Sequence, residues 1–367
     1  MKCIFCGKSA GLFKREHPEC RALAERAKKY LRECIDYIYS NRDCMNISEV
    51  VADTVARYNI PLAMIDNLFI ECWNAKVIAA LEDGVLEADE LKILREMLVA
   101  LNIDQKKLSA SPQWEILMDH GKASVMRVIN TAIRNKNLST LKEQVAVIAN
   151  SYGFDEKTIK QYAFETWKCF LVKAFDDGIL DKDEEHILEE LARIFDFSDS
   201  DIEHYNARIV KGAILREIME GITPRRLNIT GQLPIVLQNK ESVLWISNNV
   251  LAYEDKTRRH YVGGSTGFSV RVAKGVYLRS GAFRGHPVET TETVEIGSGS
   301  LIITNKHIFW LSPYRSIKIP AKKLVSIIPR SDGVILQKDG VTAKPLMFKL
   351  DDPWFISNLI SNLNLLQ

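Results

Sequence analysis

One helical unit occurs twice in this chain, 94 residues apart, and this repeat constrains the fold more than any other feature. The segment that begins at Phe69 aligns without a gap with the segment that begins at Ala163. The two segments share residues at equivalent positions: Glu71 and Glu165, Trp73 and Trp167, Asp83-Gly84 and Asp177-Gly178, Leu86 and Leu180, and Asp89-Glu90 and Asp183-Glu184. Because one alignment register holds over about fifty positions, the sequence predicts two copies of a small α-helical module.

Charge is distributed unevenly along the 367 residues, although the net charge is only +2. Residues 1–49 carry 10 Lys or Arg and 7 Asp or Glu. Residues 50–211, which contain the repeat, carry 19 Lys or Arg and 28 Asp or Glu. Residues 212–367 carry 20 Lys or Arg and 12 Asp or Glu. An acidic middle suits a cation or a basic partner, and a basic end suits an anionic surface, so the two regions also suit each other.

Three further patterns bear on location in the cell. No run approaches the roughly 18 apolar residues of a transmembrane helix. The segment from Met1 to Lys8 lacks the apolar stretch of a secretory signal. Seven cysteines, an odd number, favour a reducing compartment. We therefore expect a cytoplasmic protein, either free or peripherally attached to a membrane.

The first 22 residues contain a metal-ligand pattern, Cys3-x-x-Cys6 followed by His17-x-x-Cys20. Zinc prefers four sulfur or nitrogen ligands in a tetrahedron, and a helix that starts near Pro18 would place His17 and Cys20 on one side. Such a short segment has no core of its own, so metal would supply its folding energy. The spacing resembles a CCHC zinc knuckle with structural zinc, and the alternative is a pair of buried free cysteines beside an incidental histidine.

Zinc knuckles bind nucleic acid in some families and protein in others. A small basic and aromatic surface in this segment is compatible with nucleic acid, and it consists of Phe5, Lys8, Phe13, Lys14 and Arg15. We favour a structural or docking role for the knuckle.

Residues 23–46 are predicted as a linking helix, residues 47–137 as the first repeat and residues 138–220 as the second. Each repeat is expected to contain a helix, a helix through its tryptophan, an acidic turn and a third helix. In that turn the Gly of Asp-Gly suits the left-handed end of a helix, and Glu87 or Asp181 is suited to cap the next one.

At these turns the chain resembles the tellurite-resistance TerB-like family, whose helical bundle carries the pattern Asp-Gly-hydrophobic-acidic. Some members bind divalent metal through acidic clusters. The resemblance implies candidate metal ligands at Asp83, Glu87, Asp89 and Glu90 and at Asp177, Asp181, Asp183 and Glu184. Helix capping is the alternative for these carboxylates, and we favour it over calcium because neither segment has the ligand spacing of an EF-hand.

The last third, residues 221–367, changes to short runs rich in β-branched and aromatic residues. Strands are predicted at 234–238, 242–254, 268–273, 275–281, 300–312, 316–320, 323–329, 333–337 and 345–350. An amphipathic helix from Pro353, capped by Asp352, is expected to close the chain. These elements predict a small β-barrel plugged by one helix, and with the helical repeats they give a multidomain α+β protein.

The phrase from Gly299 to Val334 closely resembles bacterial PH-like and GRAM-like domains, on the residues Gly299, Leu301, Thr304, Asn305, Lys306, His307, Phe309, Ile319-Pro320, Leu324, Ile327-Ile328 and Asp332-Gly333-Val334. The resemblance implies binding of a lipid headgroup or a protein. Residues 255–297 depart from it as a long insertion that is basic and rich in glycine.

Candidate anion-binding residues are the cations of this insertion together with one in the motif, because Arg suits bidentate contacts to phosphate: Lys256, Arg258, Arg259, Arg271, Lys274, Arg279, Arg284 and Lys306. Gly263–Gly267 lacks the Lys-Ser/Thr and the following helix of a phosphate loop, so we expect a hairpin turn there.

No familiar catalytic motif occurs in the chain, and none of its seven histidines stands in a recognisable base arrangement. We therefore expect a non-enzymatic bacterial adaptor or sensor that binds a partner protein and an anionic lipid or membrane surface. The TerB-like and PH-like resemblances imply a setting in stress response or phage defence. Two alternatives stay open: a nucleic-acid-binding protein that uses the knuckle and the basic insertion, and a metal-regulated enzyme.

Overall fold

The computed structural model describes residues 1–44, 46–273, 276–340 and 343–366; within these, Gln105, residues 261–273, 276–285 and Pro287 are described by their backbone only. The chain is mixed α+β, as predicted, with helices up to Met219 and an antiparallel sheet after it. It forms two compact units. The first consists of residues 1–170 and 187–198, and the second of residues 171–186 and 199–367.

The helices have clear bounds that match the predicted order of helix, helix, turn and helix. In chain order they are α1 (Pro18–Asn41), α2 (Ile47–Tyr58), α3 (Leu62–Ala80), α4 (Ala88–Ala100), the short α5 (Gln105–Leu108), α6 (Pro112–Arg134), α7 (Leu141–Tyr152), α8 (Glu156–Ala174), α9 (Lys182–Ile194) and α10 (Asp199–Met219).

The repeating unit contains four helices, one more than its sequence match indicates. Helices α1 to α4 begin 94 residues before α6 to α9, position for position. We call α1–α4 copy one and α6–α9 copy two. Helix α1, expected as a link over 23–46, is therefore the first helix of copy one, and both copies begin earlier than the boundaries at 47 and 138. The first helices share apolar positions such as Leu31 and Val125, which an identity match does not detect.

The tryptophan that the copies share holds the same two helices together in each. Trp73 Nε1 donates a hydrogen bond to the carbonyl of Leu94 (2.9 Å), and Trp167 Nε1 donates to that of Leu188 (3.0 Å). Both indoles are buried, so each of these polar groups needs its partner.

The glutamate that the copies share links the first and third helices of each. Glu71 contacts Arg32 of α1 (3.2 Å), and Glu165 contacts Lys122 of α6 (2.7 Å). The two glutamates thus bridge equivalent pairs of helices, although their basic partners lie 90 residues apart, about one helical turn off the 94-residue repeat.

Copy two rests on copy one through its first helix. Trp114 and Leu117 of α6 belong to the same apolar core as Trp73, and the ring centroids of Trp73 and Trp114 are 5.9 Å apart. Adjacent repeats that share a core in this way are typical of stacked helical arrays.

The second unit contains a seven-stranded antiparallel sheet with the order β4-β3-β2-β1-β7-β6-β5. Its strands are β1 (Val243–Ala273), β2 (Val276–Thr304), β3 (His307–Leu311), β4 (Ser316–Pro320), β5 (Leu324–Arg330), β6 (Gly333–Lys338) and β7 (Leu346–Lys349). The sheet is open, with β4 and β5 at its ends, instead of closing by hydrogen bonds into the predicted barrel.

Helix α11 (Pro353–Ser361) packs its apolar side into the core of this sheet, as predicted. Phe355 of α11 is fully buried with Trp310 of β3 and Phe348 of β7. The side chain of Asp352 accepts a hydrogen bond from the Phe355 amide (3.1 Å), which confirms its predicted role as the helix cap.

Strands β1 and β2 continue past the sheet as a long hairpin. The ladder of β1 with β7 ends at Glu254, and that of β2 with β3 begins at Ser300. From Asp255 to Ala273, among the described residues, β1 pairs only with β2. At about 3.4 Å per residue this hairpin is roughly 60 Å long.

Two sequence predictions in this region are wrong. Residues 234–238 are irregular, because a β-prone run forms a strand only where it finds a partner. Gly263–Gly267 is not a hairpin turn but part of the ladder, paired with residues 281–285, and the ladder continues to the pair Ala273 and Val276.

Candidate metal centre

A tight turn holds the two N-terminal cysteines. Lys2 and Ser9 form an antiparallel bridge, and the Cys3 amide donates to the Lys8 carbonyl (2.7 Å). The Gly7 amide in turn donates to the Cys3 carbonyl (3.0 Å). Gly7 has a φ of +70°, a conformation that glycine adopts without strain, so the Cys-x-x-Cys-Gly sequence suits this turn.

The other two predicted ligands stand at the start of α1. His17 is the residue before the helix, Pro18 is its first residue and Cys20 lies in its first turn. Ligand atoms of Cys3, Cys6, His17 and Cys20 all lie within 4.8 Å of one another. The structure therefore brings together all four residues of the predicted site.

The distances and the histidine orientation suit a tetrahedral ion. His17 Nδ1 lies 3.4 Å from Cys6 Sγ and 3.7 Å from Cys20 Sγ. Zinc bond lengths place a nitrogen and a sulfur ligand about 3.6 Å apart in a tetrahedron. His17 Nε2 lies 3.0 Å from the Ser9 carbonyl, which fixes the ring with Nδ1 toward the sulfurs, as outer contacts of metal-binding histidines do.

The proton affinities of the sulfurs also fit a cation. Desolvation raises the pKa of Cys3, but backbone hydrogen bonds from Cys6, Phe5 and His17 outweigh it and bring this pKa to about 6. Burial raises the pKa of Cys20 to about 11, and the adjacent Cys6 and Cys3 add to this rise. The thiolate of one cysteine makes it harder for its neighbour to lose a proton. A divalent cation would remove this repulsion by binding the thiolates in place of the protons.

The knuckle (residues 1–20) packs on α1, on the side that corresponds to the contact of α6 with copy one. Phe5 and Cys3 are buried against Ala24, with Cys20 beside them. The equivalents of Cys20 and Ala24 in copy two are Trp114 and Met118, which pack against copy one. The knuckle thus covers the exposed end of the helical array, the position of a capping repeat.

In both acidic turns the aspartate that precedes the glycine makes the same hydrogen bond. Asp83 Oδ1 accepts from the Val85 amide, and Asp177 Oδ1 accepts from the Ile179 amide, both at 2.9 Å. These bonds hold the turn that leads to the next helix.

Capping boxes occupy the following acids. Glu87 and Glu90 exchange hydrogen bonds between side chain and backbone at the start of α4. Asp181 and Glu184 do the same before α9, at 2.7 and 3.0 Å. Asp89 lies in the first turn of α4, and Asp183 in that of α9, where acids suit the helix dipole. Among the described residues, the N-terminal four are the group whose ligand atoms converge as a metal site requires.

The structure does not gather the candidate anion-binding residues into one described site. Arg258 contacts Glu292 (3.7 Å), and Arg259 contacts Glu289 (2.5 Å), so both are neutralised across the hairpin. Lys306 Nζ donates to the Asn239 carbonyl (2.7 Å). Lys256 lies on β1, where its backbone pairs with that of Glu292. Lys274 lies outside the described residues, as do the side chains of Arg271, Arg279 and Arg284.

Motif residues Thr304, Asn305 and His307 build a buried network around Glu241, which the sequence did not single out. The Thr304 hydroxyl donates to Glu241 Oε1 (2.6 Å), and His307 Nδ1 lies 2.8 Å from the same oxygen. The Ser242 amide donates to Asn305 Oδ1 (2.9 Å). The motif thus fastens the β2–β3 turn to the segment before β1. Glu241 lies more than sixty residues earlier in the chain, so no local pattern reveals it.

Two broader findings complete the site description. Within the described part of the chain, no helix is both long enough and apolar enough to cross a membrane. A comparison with protein-family models finds no match to this chain, and a comparison with curated proteins finds none either.

Proposed function

We propose that this chain is a non-enzymatic adaptor whose β1–β2 hairpin engages an anionic membrane surface while its helical array binds a partner protein. One observation carries the proposal, the distribution of charge along the hairpin. Near the sheet, Arg258 and Arg259 are paired with Glu292 and Glu289. Farther out, residues 261–288 contain four Lys or Arg and no Asp or Glu.

The hairpin is suited to reach such a surface. It continues past the sheet without a third strand among the described residues, so its outer half is carried away from the sheet. A cationic residue close to an anionic membrane contributes about 1 kcal/mol, so four of them support peripheral attachment at low salt.

The TerB-like and PH-like resemblances form part of this proposal, and two features of the fold support it. A seven-stranded antiparallel sheet with a C-terminal helix is what a PH-like domain implies, and two helical copies with acidic turns are what TerB-like domains imply. A setting in bacterial stress response or phage defence follows from the same resemblances.

Zinc is the ion we propose for the N-terminal site, held by Cys3, Cys6, His17 and Cys20. Bound zinc would cross-link the turn at Cys3 to the start of α1 and supply folding energy that a segment of twenty residues lacks. Its role is structural because all four positions of the tetrahedron are taken by protein ligands, which leaves none for a substrate.

Co-sedimentation with vesicles tests the membrane function. The full chain should pellet with phosphatidylcholine vesicles that contain phosphatidylserine and stay in solution with phosphatidylcholine alone. A variant with Arg271, Lys274, Arg279 and Arg284 changed to Gln should lose binding. The matched control changes Arg258, Arg259, Glu289 and Glu292 to Gln. It removes both ion pairs without changing the net charge of the hairpin, so it should retain binding.

Two outcomes would contradict the proposal. Equal sedimentation with neutral and anionic vesicles would remove the membrane surface as a ligand. Binding of the chain to RNA or DNA in a gel shift, with a steep loss at rising salt and no vesicle binding, would favour the nucleic-acid alternative instead.

A further inference from the structure

Helix α1 exposes a row of large side chains on its outer face. Leu23, Tyr30 and Tyr37 are 46%, 50% and 68% exposed. They stand seven residues apart, close to two helical turns, so they lie in line along the helix. Tyr30 and Tyr37 also line a groove of about 290 Å³ between α1 and α2 together with Val50.

The same helix in copy two shows that the module does not need these tyrosines. The positions equivalent to Tyr30 and Tyr37 are Ser124 and Thr131 in α6. The position equivalent to Leu23 is Leu117, which is buried where copy two rests on copy one. The aromatic row is therefore particular to copy one.

We propose that this row is a homodimer interface in which α1 packs antiparallel against α1 of a second copy. With the two Tyr30 rings on the two-fold axis, Leu23 of each chain meets Tyr37 of the other. The row is thus complementary to itself, as an isologous interface requires. The proposal is independent of the membrane function.

The charges beside the row select the antiparallel arrangement. Arg26 precedes Tyr30 by four residues and Glu33 follows it by three, and both side chains are exposed. Arg26 and Glu33 lie on the same side of the row. In an antiparallel pair Arg26 of one chain faces Glu33 of the other, whereas in a parallel pair the two-fold axis places the Arg26 and Glu33 edges of the two helices on opposite sides of the row, so this ion pair does not form. Among the described residues, Glu33 has a 3.9 Å contact with Lys29 in which both side chains are mostly exposed, so its carboxylate is accessible to the new pair.

The interface is a single helix pair with one apolar row, so we expect a modest affinity. Interfaces of small area belong to weak and transient complexes. Dimer formation should accordingly depend on concentration in the micromolar range, which sedimentation velocity measures directly.

The experiment compares sedimentation velocity of the zinc-loaded full chain over a concentration series, with reductant present so that Cys34 forms no cross-link. The wild-type chain should shift from monomer to dimer. Tyr30→Ser with Tyr37→Thr, the residues that copy two carries, should keep the helical circular dichroism and weaken dimer formation at least tenfold. Val99→Ser is the control, since Val99 is 82% exposed on α4, and it should dimerise normally.

A charge exchange tests the orientation. Arg26→Glu and Glu33→Arg should each weaken the dimer, and the double variant should restore it because the pair is formed between chains in swapped order. A chain that is monomeric at all concentrations would overturn the proposal. So would a dimer that the tyrosine changes leave intact, or a double variant no stronger than the single ones.

Discussion

Each of the four candidate ligands at the N-terminus is positioned by a different local structure. Cys3 is buried in a turn whose amides stabilise its thiolate, and Cys6 stands at the exposed rim. His17 is oriented by the Ser9 carbonyl, and Cys20 is carried by the first turn of α1. The turn and the helix therefore each bring two ligands, and neither forms a site alone.

Replacement of one ligand should remove the metal. We expect Cys6→Ser to lower the zinc content from one ion per chain to nearly none, because three protein ligands without a thiolate at the fourth position hold zinc far more weakly. Inductively coupled plasma mass spectrometry measures this content. Cys169→Ser, an exposed cysteine of α8, is the control and should keep its zinc. Zinc retained by Cys6→Ser would show that the ion binds elsewhere.

The buried carboxylate Glu241 should make the second unit sensitive to acid. Burial raises the pKa of Glu241, but hydrogen bonds from Thr304 and the Gln238 amide outweigh it, so this pKa lies below its ordinary value of 4.5. The unfolded chain has the higher pKa, so the stabilisation is complete above that value and is lost as the pH falls through the lower pKa of the folded state.

Glu241→Gln should therefore lower the free energy of unfolding by about 1.5–3 kcal/mol at neutral pH, the range for a hydrogen bond to a charged group. The difference from wild type should shrink in acid. Urea denaturation at both conditions measures it. Glu289→Gln, which removes a half-exposed ion pair, should cost less than about 1 kcal/mol. A loss that does not change with pH would contradict the role of the charge.

For single residues, the sequence predicts interactions only between side chains that lie close together in the chain. Cys3 to Cys20 span one short segment, so spacing alone predicted the ligands. Thr304 and His307 belong to one local motif at the end of β2 and the start of β3. Glu241 lies outside that motif, in the segment before β1, so the sequence does not connect it with them. Burial and hydrogen bonding between distant segments have no local signature.

Among the elements, the acidic turns are explained by the helices that follow them. Glu87 and Asp181 each accept an amide at a helix start that would otherwise be unsatisfied. Their carboxylates are thereby engaged in hydrogen bonds of the same kind in both copies.

Loss of either cap should destabilise its copy. We expect Glu87→Ala and Asp181→Ala each to lower the free energy of unfolding by about 0.5–2 kcal/mol, as for other N-cap residues. Thermal or urea denaturation followed by circular dichroism measures the loss. Isothermal calorimetry with millimolar calcium should give no heat with the wild-type chain. Wild-type heat that falls by about half in each variant, since each alters one of the two turns, would instead establish the acidic metal sites.

The sequence predicts a helix correctly where the same side chain recurs in both copies. It predicts strands and turns less well, because their positions depend on which segments pair in the sheet. Trp73 and Trp167 revealed the helices around them, since both make the same bond. Helix α1 was not recognised as part of copy one, because Ile35 and Ile129 are among few identities it shares with α6. The glycines from Gly263 to Gly267 indicate a turn locally, yet the ladder continues past them.

At the scale of the whole molecule, the hairpin is the part that the rest of the sheet does not require. Joining Thr257 to Thr291, which are paired in the ladder, through an Asn-Gly turn removes the outer hairpin. We expect the free energy of unfolding to change by less than about 0.5 kcal/mol, as for changes away from the core, since an isolated two-stranded hairpin adds little stability. Urea denaturation measures this.

The same truncated chain should fail to pellet with anionic vesicles. A large loss of stability would instead show that the hairpin is integral to the second unit, and intact vesicle binding would place the membrane contact elsewhere. Full secondary structure by circular dichroism is the control for correct folding.

The strand order and the division into units are not readable from sequence. The β7 strand lies between β1 and β6, although about ninety residues separate β1 from β7. The chain passes between the two compact units at three places, within α8, within α9 and just before α10, so two of the three crossings have no linker. Both features depend on contacts between distant segments, which local patterns do not encode.

The place of His17 in the chain has one more consequence. Copy two begins α6 with Ser111, whose hydroxyl accepts from the Trp114 amide (3.3 Å), whereas His17 makes no such bond at the start of α1. Zinc bound as we propose would hold the first turn of α1 through its bonds to His17 and Cys20, at the position where α6 has a hydroxyl cap. When zinc is scarce, we expect the knuckle and the start of α1 to unfold before the rest of the chain. The supply of zinc would then determine whether copy one is completely folded.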